Sequence, residues 1–199
     1  MTDQRIYNLF RHSIEAKMQI GEALAPHIAA AGEQLARCLL NDGKILVCGN
    51  GVSAGLAQIF TNSLVYYFER ERPSLPVITL GNDIVNVTAT ANATNANSFN
   101  DVFSREVRAI GRPDDVLVVI SCSGKSSNIL QAVQAAHERG IHVIALTGTT
   151  EGDISSLLDV NDKELCAAVK SYARIHEIHL LILFCLCDLI EEKLFGPIG

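Results

Sequence analysis

The sequence has no excess of positive charge, no paired-cysteine motif and no apolar run of membrane-spanning length. Its 16 Lys and Arg against 22 Asp and Glu give a formal charge of −6. Without a polybasic tail, that balance argues against direct binding of nucleic acid. The longest apolar run, Leu180 to Cys187, is too short to cross a bilayer. The start, MTDQRIYNLF, is polar and mixed in charge, unlike a secretory signal. Six cysteines (Cys38, Cys48, Cys122, Cys166, Cys185 and Cys187) form no CxxC pair. The zinc-cysteine spacing is therefore missing, and the thiols read as reduced core residues of a cytoplasmic protein. Low-complexity stretches are absent too, as is any repeat beyond two similar turns.

What is present is 48% hydrophobic residues in a chain of 199, enough for one domain with a real core. Residues 1–41 read as N-terminal helices that serve oligomerisation, and 42–199 as an α/β core of the same domain. From residue 4 to 40, Ile6, Leu9, Phe10, Ile14, Met18, Ile20, Leu24, Ile28, Leu35 and Leu39 recur at helical spacing. Pro26 is expected to divide this stretch into two helices. Strands then alternate with helices. The strands are expected at 44–48, 77–80, 116–120, 143–147 and 163–167. Helices are expected at 53–68, 84–91, 99–110, 126–139, 154–158 and 171–193, with a loop over 92–98. Continuous Val/Ile/Leu strands between helices predict a parallel sheet covered on both faces, with ligands bound beyond the carboxyl ends of the strands.

Two strands run directly into small-residue turns that open helices. The first is Gly49-Asn50-Gly51-Val52-Ser53; the second is Ser121-Cys122-Ser123-Gly124-Lys125-Ser126-Ser127. Such turns expose backbone N–H groups at the positive end of a helix dipole, which is an anion site. The first lacks the lysine of a Walker A loop and meets the dinucleotide pattern only in a looser form, with Ala54 in place of the last glycine; a simple tight turn is the alternative. The second gathers hydroxyls suited to a dianionic phosphate, and Ser126 also fits an ordinary N-cap.

These residues carry a resemblance. GNGxS at Gly49–Ser53, SxSGxS at Ser121–Ser126 and ARIxExH at Ala173–His179 resemble the sugar isomerase (SIS) domain, in the branch that holds phosphoheptose isomerases and the DnaA initiator-associating protein DiaA. The likeness covers nearly the whole chain. It implies a three-layer αβα sandwich around a five-stranded parallel, flavodoxin-like sheet, and a homotetramer built on the N-terminal helices. It also implies a phosphosugar pocket at Asn50, Gly51, Ser53, Ser121, Cys122, Ser123 and Ser126, with Asn92 and His176 beside it. Where isomerases of this branch carry His, Glu, Gln and His to bind zinc or move the proton, this chain has Ile59, Ser63, His176 and Phe184. Val52 also replaces a glycine, which narrows the sugar space and disfavours a positive φ.

On those departures the resemblance implies a catalytically silent phosphosugar-binding protein. It would have no catalytic residue, no metal and no cofactor, and it would associate with the initiator DnaA in replication initiation. The alternative is an active phosphoheptose isomerase converting sedoheptulose 7-phosphate to D-glycero-D-manno-heptose 7-phosphate. A phosphosugar sensor is a third reading. His179 shares a helix face with His176 at i+3, which reads as a packed histidine or as part of a catalytic cluster with Glu177. Lys125 is a candidate anion partner and Asp83 a candidate N-cap. His12, His27, His137 and His142 show no partners in the sequence. Leu194 and Phe195, close to the end of the chain, either pack back onto the domain or dock a partner.

Overall fold

The computed structural model describes residues 2–93 and 98–197. A single helix, α1 (Thr2–Leu40), leads into β1 (Ile45–Gly49) and α2 (Val52–Val65). Next come β2 (Val77–Thr79), α3 (Ile84–Ala91), a 3₁₀ turn over Ser98–Asp101 and α4 (Val102–Ile110). The chain continues through β3 (Val116–Ser121), α5 (Ser127–Glu138), β4 (His142–Thr147), α6 (Asp153–Leu157), β5 (Lys163–Cys166) and α7 (Tyr172–Phe195). The expected loop over 92–98 lies partly outside the described residues. Among the described residues, no helix is long and apolar enough to cross a membrane.

The five strands are all parallel, in the order β2-β1-β3-β4-β5. Alternation along each strand sends successive side chains to opposite faces. Ile45, Val47, Val116, Val118, Ile120, Ile144 and Leu146 point to one face, beneath α1, α2 and α7. Leu46, Cys48, Leu117, Val119, Val143 and Ala145 point to the other, beneath α4, α5 and α6. This is the three-layer αβα sandwich, with a long N-terminal helix on one face. Two faces of near-continuous Val, Ile and Leu explain why the strands read as apolar runs rather than alternating ones.

Pro26 does not divide the N-terminal segment; α1 runs through it. The bond lost there is the one that the carbonyl of Glu22 would accept, and Glu22 is exposed, so water can take its place. The expected 99–110 helix resolves into the 3₁₀ turn and α4. Val52 needs no positive φ, because the left-handed residue is Gly51 at φ 56° and Val52 is the first residue of α2. Asp83 caps α3 as expected, accepting from the N–H groups of Val85 and Asn86. His137 does have a partner: its Nε2 lies 2.8 Å from Asp162 Oδ2.

A buried ion pair fixes the loop between α2 and β2. Arg72 Nε lies 2.9 Å from Glu191 Oε1, with both side chains almost fully enclosed. The same guanidinium donates to the carbonyls of Ser63 and Leu64 at the end of α2, and the Leu64 carbonyl also accepts the Leu75 N–H at 3.1 Å. Glu191 in turn accepts the backbone N–H of Phe68 at 3.1 Å. Leu194 packs against the core, and Phe195 lies under the Arg70 guanidinium, 5.4 Å from ring centroid to Cζ.

Candidate functional site

Chain order reverses between β1 and β3. In an open parallel sheet, the crevice beyond the carboxyl ends at such a switch point is where ligands bind. The turns after β1 and β3 are the two small-residue turns, and the register that pairs Gly49 with Ile120 sets them side by side.

Glycines make the first turn possible. A Cβ on Gly49 would sit 2.8 Å from the backbone and Cβ of Ser53, and Gly51 takes the positive φ that lets the chain enter α2. In the second turn Ser121 Oγ accepts the Gly124 N–H at 3.2 Å and Ser123 Oγ accepts that of Lys125 at 3.3 Å. Gly124 has φ +63°, and a Cβ there would meet Gly152 Cα at 2.9 Å. Ser126 stands at the N-cap of α5 without spending its side chain on a cap bond, so its hydroxyl is free for a ligand. The two turns are tied by paired amides. Asn50 Nδ2 donates to Asn128 Oδ1 and Asn128 Nδ2 donates to Asn50 Oδ1, both at 2.9 Å.

Asn50, Ser53, Ser121, Cys122, Ser123, Ser126 and His176 line one cavity of about 240 Å³, joined by Val52, Ile120 and Tyr172. Gly51 shapes its rim. Asn92 is the exposed C-cap of α3 and is not part of the lining. Sequence reasoning missed Asn128 and Tyr172. An Asn two residues into a helix and a Tyr at a helix start carry no signal until the two turns are brought together.

The cavity ends on a titratable cluster. Cys122 Sγ lies 3.4 Å from His176 Nδ1, and His179 Nε2 lies 2.9 Å from the Thr147 carbonyl. Burial pushes the Cys122 thiol up, against a hydrogen bond from Ser53. Burial also lowers the pKa of His176 and takes His179 down to about 4, so both imidazoles are neutral at pH 7. Cys122, His176 and His179 each bring one donor atom within 4.8 Å of the others. Soft sulfur and neutral imidazole nitrogens, with one buried ring nitrogen that has no partner among the described residues, fit a zinc-class ion. Ile59, Ser63 and Phe184 do not belong to this set. Ile59 is exposed, Ser63 is held at the Arg72 end of α2, and the Phe184 ring rests on Phe68 at 5.4 Å.

Comparison with known proteins gives a consistent result. A family model described as "SIS domain" matches residues 9–148. The chain is 49% identical over 192 residues to a phosphoheptose isomerase of Chromohalobacter salexigens, covering 96% of each chain. It is 47% identical over 191 residues to one of Coxiella burnetii, covering 96% of this chain and 94% of that one. The structure of a phosphoheptose isomerase from Francisella tularensis superposes with a TM-score of 0.90 at 43% identity, over 96% of this chain and 99% of that one. These relatives overturn the expectation of a non-enzymatic, DnaA-directed protein. Together with the Cys122, His176 and His179 cluster, they also overturn the expectation that no metal or cofactor has a place here. The error came from treating four positions as the whole chemical complement of the pocket.

Proposed function

The chain belongs to the SIS domain family, and on that premise we propose that it is a phosphosugar isomerase interconverting sedoheptulose 7-phosphate and D-glycero-D-manno-heptose 7-phosphate. The observation that carries this reading is the placement of the cavity. Two small-residue turns flank the β1/β3 switch point, and the side chains of Cys122, His176 and His179 lie against them. The near full-length similarity to enzymes named for this substrate supports it.

In this reading the N–H groups of the second turn and the free hydroxyl of Ser126 hold the 7-phosphate at the start of α5. The Asn50–Asn128 amide pair keeps the two turns at a fixed separation. An aldose–ketose shift moves one proton between adjacent carbons and needs groups that exchange protons near pH 7. Ile59, Ser63 and Phe184 offer none, so in this reading the proton transfer falls to the imidazole of His176, which lines the cavity. A divalent metal held there, when bound, would polarise the sugar carbonyl.

Ser126→Ala tests the phosphate cradle. Losing one hydrogen bond to a charged group costs about 1.5–3 kcal/mol. KM for sedoheptulose 7-phosphate should therefore rise about tenfold or more. The thermal midpoint should hardly move, because the hydroxyl makes no cap bond. An unchanged KM would place the phosphate elsewhere.

The protein is further proposed to act as a cytoplasmic homotetramer through residues 1–41. Tyr7, Phe10, Ile14 and Met18 on α1 are left exposed in the protomer, and an apolar stripe of that size is buried by another copy. Sedimentation should give the tetramer mass; a monomer at micromolar concentration would contradict this.

A further inference from the structure

We propose that a second cavity beside the phosphosugar site is an anion subsite of its own, and that the protein holds a sugar phosphorylated at both ends without converting it. The identity of the sugar rests on the isomerase reading; the second anion subsite does not.

The sheet sets two lobes side by side. The first lies between the turns after β1 and β3. The second, of about 510 Å³, opens over the carboxyl ends of β4 and β5 and shares Cys122, Ser123 and Tyr172 with the first. Neighbouring strands stand about 4.8 Å apart, so the centres of the lobes fall roughly 7 Å from each other. A seven-carbon chain with a phosphate at each end spans that separation. The lobes are also fixed relative to one another. The Gly148 N–H donates to the Cys122 carbonyl at 3.1 Å, and a Cβ on Gly148 would meet Ile175 Cδ1 at 2.6 Å.

The lining of the second lobe selects an anion. The chain has a formal charge of −6, yet among the described residues no Asp or Glu lines this cavity, whereas Lys125 and Lys170 both do. Lys17, Lys44 and Lys193 are engaged with Glu177, Asp115 and Glu33. Lys125 and Lys170 are exposed and have no carboxylate partner among the described residues. Thr149 and Thr150 add backbone N–H groups that donate to no protein acceptor among the described residues. The Thr149 hydroxyl accepts the Glu151 N–H at 3.2 Å, which leaves its own proton to give. Two unpaired ammonium groups with unspent N–H and O–H donors suit the oxygens of a phosphate.

Chemistry decides which end of the sugar reaches this lobe. Tyr172 and His176 stand four residues apart on one face of α7. His176 lines the first lobe and Tyr172 lines both, so the end of the sugar that meets His176 lies at the passage into the second. With the 7-phosphate at the Ser121–Ser126 turn, that end is C1 and C2. The aldose–ketose shift converts the C1 hydroxyl of the ketose into the aldehyde carbonyl. A phosphate on that oxygen blocks the shift. A ketose 1,7-bisphosphate is therefore gripped by both lobes and left unconverted, as a competitive inhibitor.

The test is thermal-shift titration of the full-length protein, with sedoheptulose 7-phosphate and sedoheptulose 1,7-bisphosphate as the two probes. At low ionic strength the bisphosphate should bind about tenfold tighter. That preference should shrink as salt is added, because both lysines are exposed. Lys170→Ala should lower the ratio of the two affinities about threefold or more, with wild-type circular dichroism. Equal affinities in the wild type overturn the proposal. So does a Lys170→Ala protein that loses affinity for both sugars by the same factor, which would give this lobe to the single phosphate. Turnover of the monophosphate is read in parallel. Conversion without a preference for the bisphosphate removes the second subsite and leaves the isomerase reading. A preference that depends on Lys170, without conversion, does the reverse.

Discussion

His176→Ala should lower kcat for sedoheptulose 7-phosphate by about 100-fold or more, the range in which a positioned proton-exchanging group contributes. KM should change far less, because the proposed phosphate cradle is the turn at Ser121–Ser126 and not α7. The contrast between kcat and KM separates this role from simple pocket packing. The ring is only partly enclosed and its one described partner is Cys122, so the thermal midpoint should stay within a few degrees of wild type. A variant that keeps wild-type kcat would remove His176 from the chemistry.

Glu191→Ala should have the largest effect on stability. It leaves the Arg72 guanidinium charged and buried, a loss of about 3–5 kcal/mol when one partner of an enclosed pair is removed. For a chain of this size that is roughly a 10 °C fall in thermal midpoint. The backbone N–H groups of Phe68 and Glu69 lose their acceptor as well. Replacing Arg72 and Glu191 together by Met and Leu should recover part of the loss, because the uncompensated charge disappears while those N–H groups remain unsatisfied. A fall of less than 3 °C for Glu191→Ala in a differential scanning experiment would show that water reaches the pair.

The fold was legible because its signals are local. Val, Ile and Leu runs ending in Gly and Ser turns mark parallel strands feeding helices, and five such units leave few sheet orders open. The two small-residue turns were legible for the same reason: the hydroxyls and glycines that make them are contiguous. The continuity of α1 through Pro26 was not, because it depends on an exposed carbonyl that water can satisfy. Nor was the Asn50–Asn128 pair, since its members stand on different turns.

The chemistry was the hardest part to see. In the sequence Cys122 reads as a pocket residue of the second turn, and His179 as a packed histidine or a member of a cluster with His176 and Glu177. Only packing shows that Thr147 fixes the tautomer of His179 and that Cys122 turns toward His176. Reading Ile59, Ser63 and Phe184 as the loss of function judged the pocket by single positions, whereas the near full-length relatives are named as isomerases.

The central claim is that this cavity moves a proton on a heptose phosphate. The direct measurement is to incubate the purified protein with sedoheptulose 7-phosphate and zinc in deuterated water and follow the sugar by NMR. The account predicts conversion to D-glycero-D-manno-heptose 7-phosphate with deuterium entering at C2, at a rate that collapses in His176→Ala. Recovery of unchanged, undeuterated sedoheptulose 7-phosphate, from protein that the same sugar demonstrably stabilises, would contradict it.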